Sequence, residues 1–328
     1  EGEISMIVGT HALFQADVQF NGLALAVIDE QHRFGVHQRL MLADKGAAAD
    51  MLVMTATPIP RTLMLCAYSD LDSSRLTDKP AGRKPIETRA LPVARLEDVV
   101  GRLETAINTG ARAFWVCPLV DESELIDLEA ATDRHAFLNR RFPNRVGLIH
   151  GKLKGPEKDR VMAAFAAGEI DILVATTVIE VGVDVPEASI MVIEHAERFG
   201  LSQLHQLRGR VGRGERTSSC LLLYAPPLGE TARARLNILR DTEDGFLISE
   251  EDLRLRGAGE MLGTRQSGLP VFKLADIAKH QELMMAARDD ARLILDRDPG
   301  LTSERGKALR ILLYLFEKDS VVQTLRSG

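Results

Sequence analysis

Short, unbroken apolar runs recur through the middle of the chain at residues 113–118 (AFWVCP), 146–149 (VGLI), 170–175 (IDILVA), 189–193 (SIMVI) and 220–224 (CLLLY). Runs without polar alternation read as strands buried on both faces. Between them lie an amphipathic stretch at 95–108, a long charged one at 124–141, and one at 156–167 with Pro156 in its first turn. All three read as helices. Strand–helix alternation sustained over roughly 140 residues predicts an α/β fold with a parallel, doubly wound sheet. Three earlier runs have the same texture: 4–10 (ISMIVGT), 23–28 (LALAVI) and 51–54 (MLVM), with helical segments at 36–44 and 61–68. Residues 71–92 carry Pro80, Gly82, Pro85 and Pro92 and read as a linker with one extended strand. After Pro226 and Pro227 the strands stop, and helices are expected at 231–241, 249–256, 273–296 and 303–316, with a glycine-rich link at 257–268. The expected domains are therefore 1–78, 79–226 and a helical extension at 227–328.

Composition narrows the class. The net charge of −6 argues against a generally basic nucleic-acid coat and leaves that task to local patches. Cys66, Cys117 and Cys220 have no C-x-x-C spacing, so they read as buried thiols in a reducing compartment. No run of eighteen apolar residues and no signal peptide occur, which predicts a cytoplasmic protein away from membranes. The chain starts at Glu1 and runs straight into an apolar segment, as expected of a piece cut from something longer.

Chemistry collects at a few places. Asp29 and Glu30 directly follow an apolar run; a carboxylate there can hold Mg²⁺ through water while the next orients an attacking water. Thr55, Ala56, Thr57 and Pro58 follow another, and threonines before proline can equally cap a helix. In QLHQLRGRVGRG, residues 203–214, Arg210 and Arg213 stand three apart. On one helical face two such guanidinium forks can grip a single phosphate. Gly182 allows close backbone approach in GVDVP, and Thr176 and Thr177 offer hydroxyls for phosphates. His150 in LIHGKL is a DNA-contact candidate or a plain turn histidine. Phe199, Phe246 and Phe272 read mainly as core.

The tetrad Asp29-Glu30-Gln31-His32, with TATP and QLHQLRGRVGRG in this order, resembles the superfamily two helicases in their DEQH spelling. The resemblance implies RecA-like sheets of the P-loop NTPase type, a partial first lobe plus a complete second one. It implies that Asp29 binds Mg²⁺, Glu30 is the catalytic base, and Gln31 and His32 sense the γ-phosphate of ATP. Thr55 and Thr57 would couple hydrolysis to lobe movement, Arg210 and Arg213 would be arginine fingers, and Gln206 an adjacent polar contact. Gly182 and Asp184 would lie toward the nucleotide. Gly9, Thr10, Thr176, Thr177 and His150 would hold DNA phosphates.

Residues 254–260 (RLRGAGE) and 263–268 (GTRQSG) resemble the translocation hairpin and loop shared by the RecG and Mfd families, with LGTRQSGLP closer to RecG. That resemblance implies an ATP-dependent double-stranded DNA translocase acting on branched DNA, stalled forks and Holliday junctions, in repair and recombination. Arg254 and Arg256 would brace the hairpin and Gln266 would lie in its loop. Expected partners are branched DNA and single-stranded DNA-binding protein, at the bacterial nucleoid. One departure stands out: the phosphate-cradling loop G-x-x-x-x-G-K-S/T is absent from these 328 residues. By itself the chain is therefore expected not to hydrolyse ATP, and to expose an apolar edge of a truncated sheet. The alternatives are an Mfd-like coupling translocase and a non-catalytic DNA- or protein-binding module.

Overall fold

The computed structural model describes residues 4–15, 17–30, 49–60, 73–78, 82–118, 124–176, 185–261 and 280–316. The chain forms two compact units, Glu1–Ser73 with Arg256–Gly328, and Ser74–Leu255.

In the first unit, β1 (Leu25–Ile28) and β2 (Asp50–Val53) pair in parallel, with Leu25 opposite Asp50 and Ile28 opposite Val53. Burial on both faces does not hold here. Ala26 and Ile28 are buried under Phe20, Leu23 and Met51, whereas Leu25, Val27 and Leu52 are all more than half exposed. Among the described residues the two-stranded ribbon has an apolar cover on one face only. Residues 4–10 form no strand, and Ile4, Met6 and Val8 are exposed. A strand exists through its ladder, and among the described residues the ladder of β1 and β2 joins only those two. The helices expected at 36–44 and 61–68, and Cys66, lie outside the described residues.

The second unit carries a six-stranded sheet whose ladders are all parallel: β3 (Ile86–Pro92), β4 (Arg112–Val116), β5 (Val146–Ile149), β6 (Ile172–Ala175), β7 (Ala188–Ile193) and β8 (Ser218–Tyr224), in the order β3-β8-β7-β4-β6-β5. The extended segment of the expected linker is the edge strand β3. Alternate residues of β4 enter different cores: Phe114 and Val116 on one face, Ala113, Trp115 and Cys117 on the other. Two-sided cover is why the runs here are continuously apolar. Helix α1 (Leu96–Asn108) buries Val99, Val100, Leu103 and Ile107, one stripe at helical spacing, against the second core. Helices α2 (Glu124–Arg141) and α3 (Gly155–Ala167) complete the crossovers, and α4 (Leu201–Arg208) links β7 to β8.

Beyond β8 come α5 (Glu230–Asp241) and α6 (Gly245–Met261). Helix α6 runs through Gly257 and Gly259, which composition assigns to a loop. Each glycine costs about 1 kcal/mol in a helix. Against that, Asp244 Oδ1 accepts the Phe246 N–H at 2.8 Å and Leu247 N–H at 3.3 Å, and Ile248 and Leu253 are buried. Helices α7 (Gln281–Arg297) and α8 (Glu304–Leu315) belong to the first unit, with Ser303 capping α8 through the Gly306 N–H. No helix among the described residues is long and apolar enough to cross a membrane.

Candidate functional site

Parallel pairing brings two chemical segments of the first unit side by side. Ile28 faces Val53, and the Met54 N–H donates to the Ile28 carbonyl at 2.8 Å. Asp29-Glu30 and Thr55-Ala56-Thr57 therefore leave adjacent strand ends together. Asp29 Oδ1 accepts the Glu30 N–H at 2.8 Å, and Glu30 has φ 52°, the left-handed region that residues other than glycine seldom enter. The Thr55 hydroxyl accepts the Thr57 N–H at 3.2 Å and donates to the Thr57 carbonyl at 3.1 Å, closing a local loop. Gly9 and Thr10 immediately precede a 3-10 turn at His11–Phe14. Gln31 and His32 lie outside the described residues.

In the second unit, His150 and Thr176 sit together at the carboxyl edge of the sheet. They follow β5 and β6, paired with Ile149 opposite Ala175, and the Thr176 N–H donates to the Ile149 carbonyl at 3.3 Å. Thr176 is buried. His150 Nδ1 is buried without a hydrogen-bond partner among the described residues. Burial first, then Lys158 and Lys152, hold its pKa below the usual 6.5, with Glu157 opposing. Thr177, Gly182 and Asp184 lie outside the described residues.

The same edge holds a charged cluster that sequence reading misses. Glu194, just past β7, accepts Arg134 Nε at 2.5 Å and Nη2 at 2.9 Å, and also the Trp115 indole N–H. The Arg134 guanidinium lies 5.1 Å from the Phe137 ring centroid and 5.8 Å from that of Trp115. Burial, with Glu194 adding and Arg134 opposing, raises the nearby Cys117 thiol. Burial also pushes Cys220 up to about 12, so both described cysteines are inert thiols. A glutamate ending an apolar run (SIMVIE) is the one local hint; its partner is 60 residues away.

The arginine segment departs from expectation. Helix α4 is capped by Gly200 and ends at Arg208, so Arg210 and Arg213 lie in the turn beyond it and not on a helical face. Glycine spacing is the reason. Gly212 has φ 79°, and a Cβ there would be 2.9 Å from Ile86 Cγ1; a Cβ on Gly214 would be 2.2 Å from the Pro186 carbonyl oxygen. Ile86 opens β3 and Pro186 precedes β7, so the segment lies at the amino edge of the sheet, opposite His150 and Thr176. Arg213 folds back over the turn, its Nε donating to the Gly209 carbonyl at 3.2 Å. Gln206 is half-buried on α4. Arg208 is 2% exposed and structural, donating through Nη1 to the carbonyls of Leu239 at 2.6 Å and Thr242 at 2.8 Å.

The start of α4 and the turn before it are tied to α6 and α5. The Ser202 hydroxyl donates to Asp252 at 2.6 Å, and Arg235 donates to the carbonyls of Phe199 at 2.8 Å and Glu197 at 3.0 Å. Arg254 is exposed and pairs with Glu251 one turn earlier at 2.8 Å. Arg256 falls within α6, its side chain outside the described residues, as is Gln266.

Comparison with known proteins agrees with this layout. The helicase conserved C-terminal domain matches residues 94–215, and "ATP-dependent DNA helicase RecG, domain 3, C-terminal" matches 242–321. The ATP-dependent DNA helicase RecG of Escherichia coli K12 is 54% identical over 314 residues, covering 94% of this chain and 45% of the relative. That of Pasteurella multocida is 52% identical over 309 residues, with 92% and 45% covered, and that of Bacillus subtilis 50% over 299, with 90% and 44%. The structure of RecG bound to a three-way DNA junction is 46% identical at a TM-score of 0.66, over 87% of this chain and 36% of that one. The chain thus spans somewhat less than half the length of these relatives. Over the region it spans, the chain belongs to the RecG helicase family.

Proposed function

We propose that this chain is the motor region of an ATP-driven double-stranded DNA translocase that remodels branched DNA such as stalled forks and Holliday junctions. The observation that carries the reading is the pairing of β1 with β2, which brings Asp29-Glu30 and the Thr55–Thr57 loop to neighbouring strand ends. Among the described residues no cluster of three His, Cys, Asp or Glu could hold a metal unaided. Mg²⁺ fits that setting, since it binds through one or two carboxylates, waters and substrate phosphates. ATP with Mg²⁺ supplies the energy through loss of its γ-phosphate. In this reading Asp29 holds the hydrated cation and Glu30 takes the proton of the attacking water. Arg210 and Arg213 meet negative charge developing on the γ-phosphate, with Gln206 beside them. Gln31 and His32 sense that phosphate, Thr55 and Thr57 pass its state on, and Gly182 and Asp184 line the nucleotide. Gly9, Thr10, His150, Thr176 and Thr177 hold DNA phosphates, and Arg254, Arg256 and Gln266 serve the translocating hairpin. Residues 1–78, 79–226 and 227–328 would be the first lobe, the second lobe and the helical extension. Work at forks would place it at the nucleoid, beside single-stranded DNA-binding protein. The domain match over 242–321 favours RecG-type over Mfd-type action and over a non-catalytic module.

The test replaces the matching region of the E. coli relative with this chain and measures ATP hydrolysis with and without forked DNA. Fork-stimulated turnover is expected, falling about 10²–10⁴-fold in kcat with Glu30→Gln. Arg213→Ala should cost about 10³-fold or more. No stimulation, or variants that turn over like the parent, would overturn the reading. The 328 residues alone are expected to bind forks without hydrolysing ATP.

A further inference from the structure

The segment that carries Arg210 and Arg213 has left its helix, so something else must hold it in place. Three contacts do so. Gly214 lies against the Pro186 carbonyl, Gly212 lies against the Ile86 side chain, and Arg208 is bonded to the carbonyls of Leu239 and Thr242. Two of these three lead to one turn, residues 242–244 between α5 and α6. Thr242 accepts from Arg208, and the next residue, Glu243, accepts the backbone N–H of Ile86 through Oε1. Ile86 therefore has its main chain fixed by Glu243 while its side chain fills the space under Gly212, the residue just before Arg213. The Glu243 charge also attracts Arg208. A carboxylate is suited to this task, because its bond to an N–H is charge-assisted and stronger than one from a neutral acceptor.

We propose that Glu243 is a positioning residue for Arg210 and Arg213: through Ile86 and Arg208 it sets where the arginine turn lies on the amino edge of the sheet. The proposal rests on the reading of those arginines as ligands of the γ-phosphate. Arginines that act on charge developing in the transition state contribute to kcat more than to KM. A displacement of about 1 Å at such a group can cost roughly 10²-fold in rate.

Two measurements test it. In the full 328-residue chain, Glu243→Ala should raise amide hydrogen exchange of Val211–Gly214 while exchange in β4 and β7 stays as in the parent. In the exchanged E. coli relative, the same substitution should lower kcat for fork-stimulated ATP hydrolysis about 10- to 100-fold with KM for ATP little changed. Glu243→Gln, which keeps the acceptor oxygen, should restore most of both. Ile86→Ala, which leaves the Glu243 bond and removes the wedge, should repeat the kcat loss and serves if Glu243→Ala folds poorly. Unchanged exchange and kcat in Glu243→Ala and Ile86→Ala would overturn the proposal, as would a kcat loss no larger than the loss of folded protein. If Arg213→Ala were itself silent, the reading of the arginines would fall, and not merely the role of Glu243.

Discussion

His150 is a proposed phosphate contact, and its surroundings favour the neutral ring. Burial and the lysines at 158 and 152 lower its pKa, so in the folded chain it titrates below 6.5. A neutral imidazole serves a phosphate as a hydrogen-bond donor and not as a cation. The sign follows: a folded pKa below the unfolded one favours folding fully above pH 6.5. That contribution is lost as pH falls from 6.5 through the folded value. An NMR titration of the His150 ring in the free chain should therefore have its midpoint below 6.5; a midpoint at or above 6.5 would refute the assignment. Sequence showed this histidine at a strand end but not its charge state, which depends on Lys158 one helical segment away folding back toward the strand.

At the scale of elements, α2 is held to the sheet by more than apolar contact. Arg134 and Glu194 have side chains 18% and 7% exposed, and Trp115 shares the carboxylate. Removing one partner of such a pair leaves the other charge buried and uncompensated. We expect Glu194→Ala to destabilise the second unit by about 3–5 kcal/mol, measured by urea unfolding of the chain followed through Trp115 fluorescence. A loss under about 1 kcal/mol, the range of exposed pairs, would mean the pair is effectively solvated. The strands and helices of this unit were legible as elements, from the apolar runs and the stripe of α1. Their ends were less so: α4 stops at Arg208 because the following glycines take up a turn against Ile86 and Pro186, contacts invisible to local periodicity.

At the scale of the molecule, the two units differ in how much apolar surface their described residues bury. Both large cores lie within Ser74–Leu255, whereas the described core of the other unit is Ala26 and Ile28 with three flanking residues. Unfolding should therefore not be a single two-state event. Limited proteolysis should leave a resistant piece bounded near residues 74 and 255. Uniform digestion, or a single coincident transition by several probes, would contradict this.

Sequence by itself determined the parallel α/β plan, the family, and the order of the DEQH, TATP and RGRVGRG segments, because these rest on local periodicity and contiguous spelling. It overstated burial in β1 and β2, since an apolar run states what a strand can bury and not how many faces find a partner. Only tertiary structure decided which strand ends are neighbours, that the arginine turn and His150 lie at opposite edges of one sheet, and that Glu194 meets Arg134. It also decided that Ile86 sits between Glu243 and Gly212. Each of these depends on residues far apart in the chain, whose approach is set by packing and not by any local pattern.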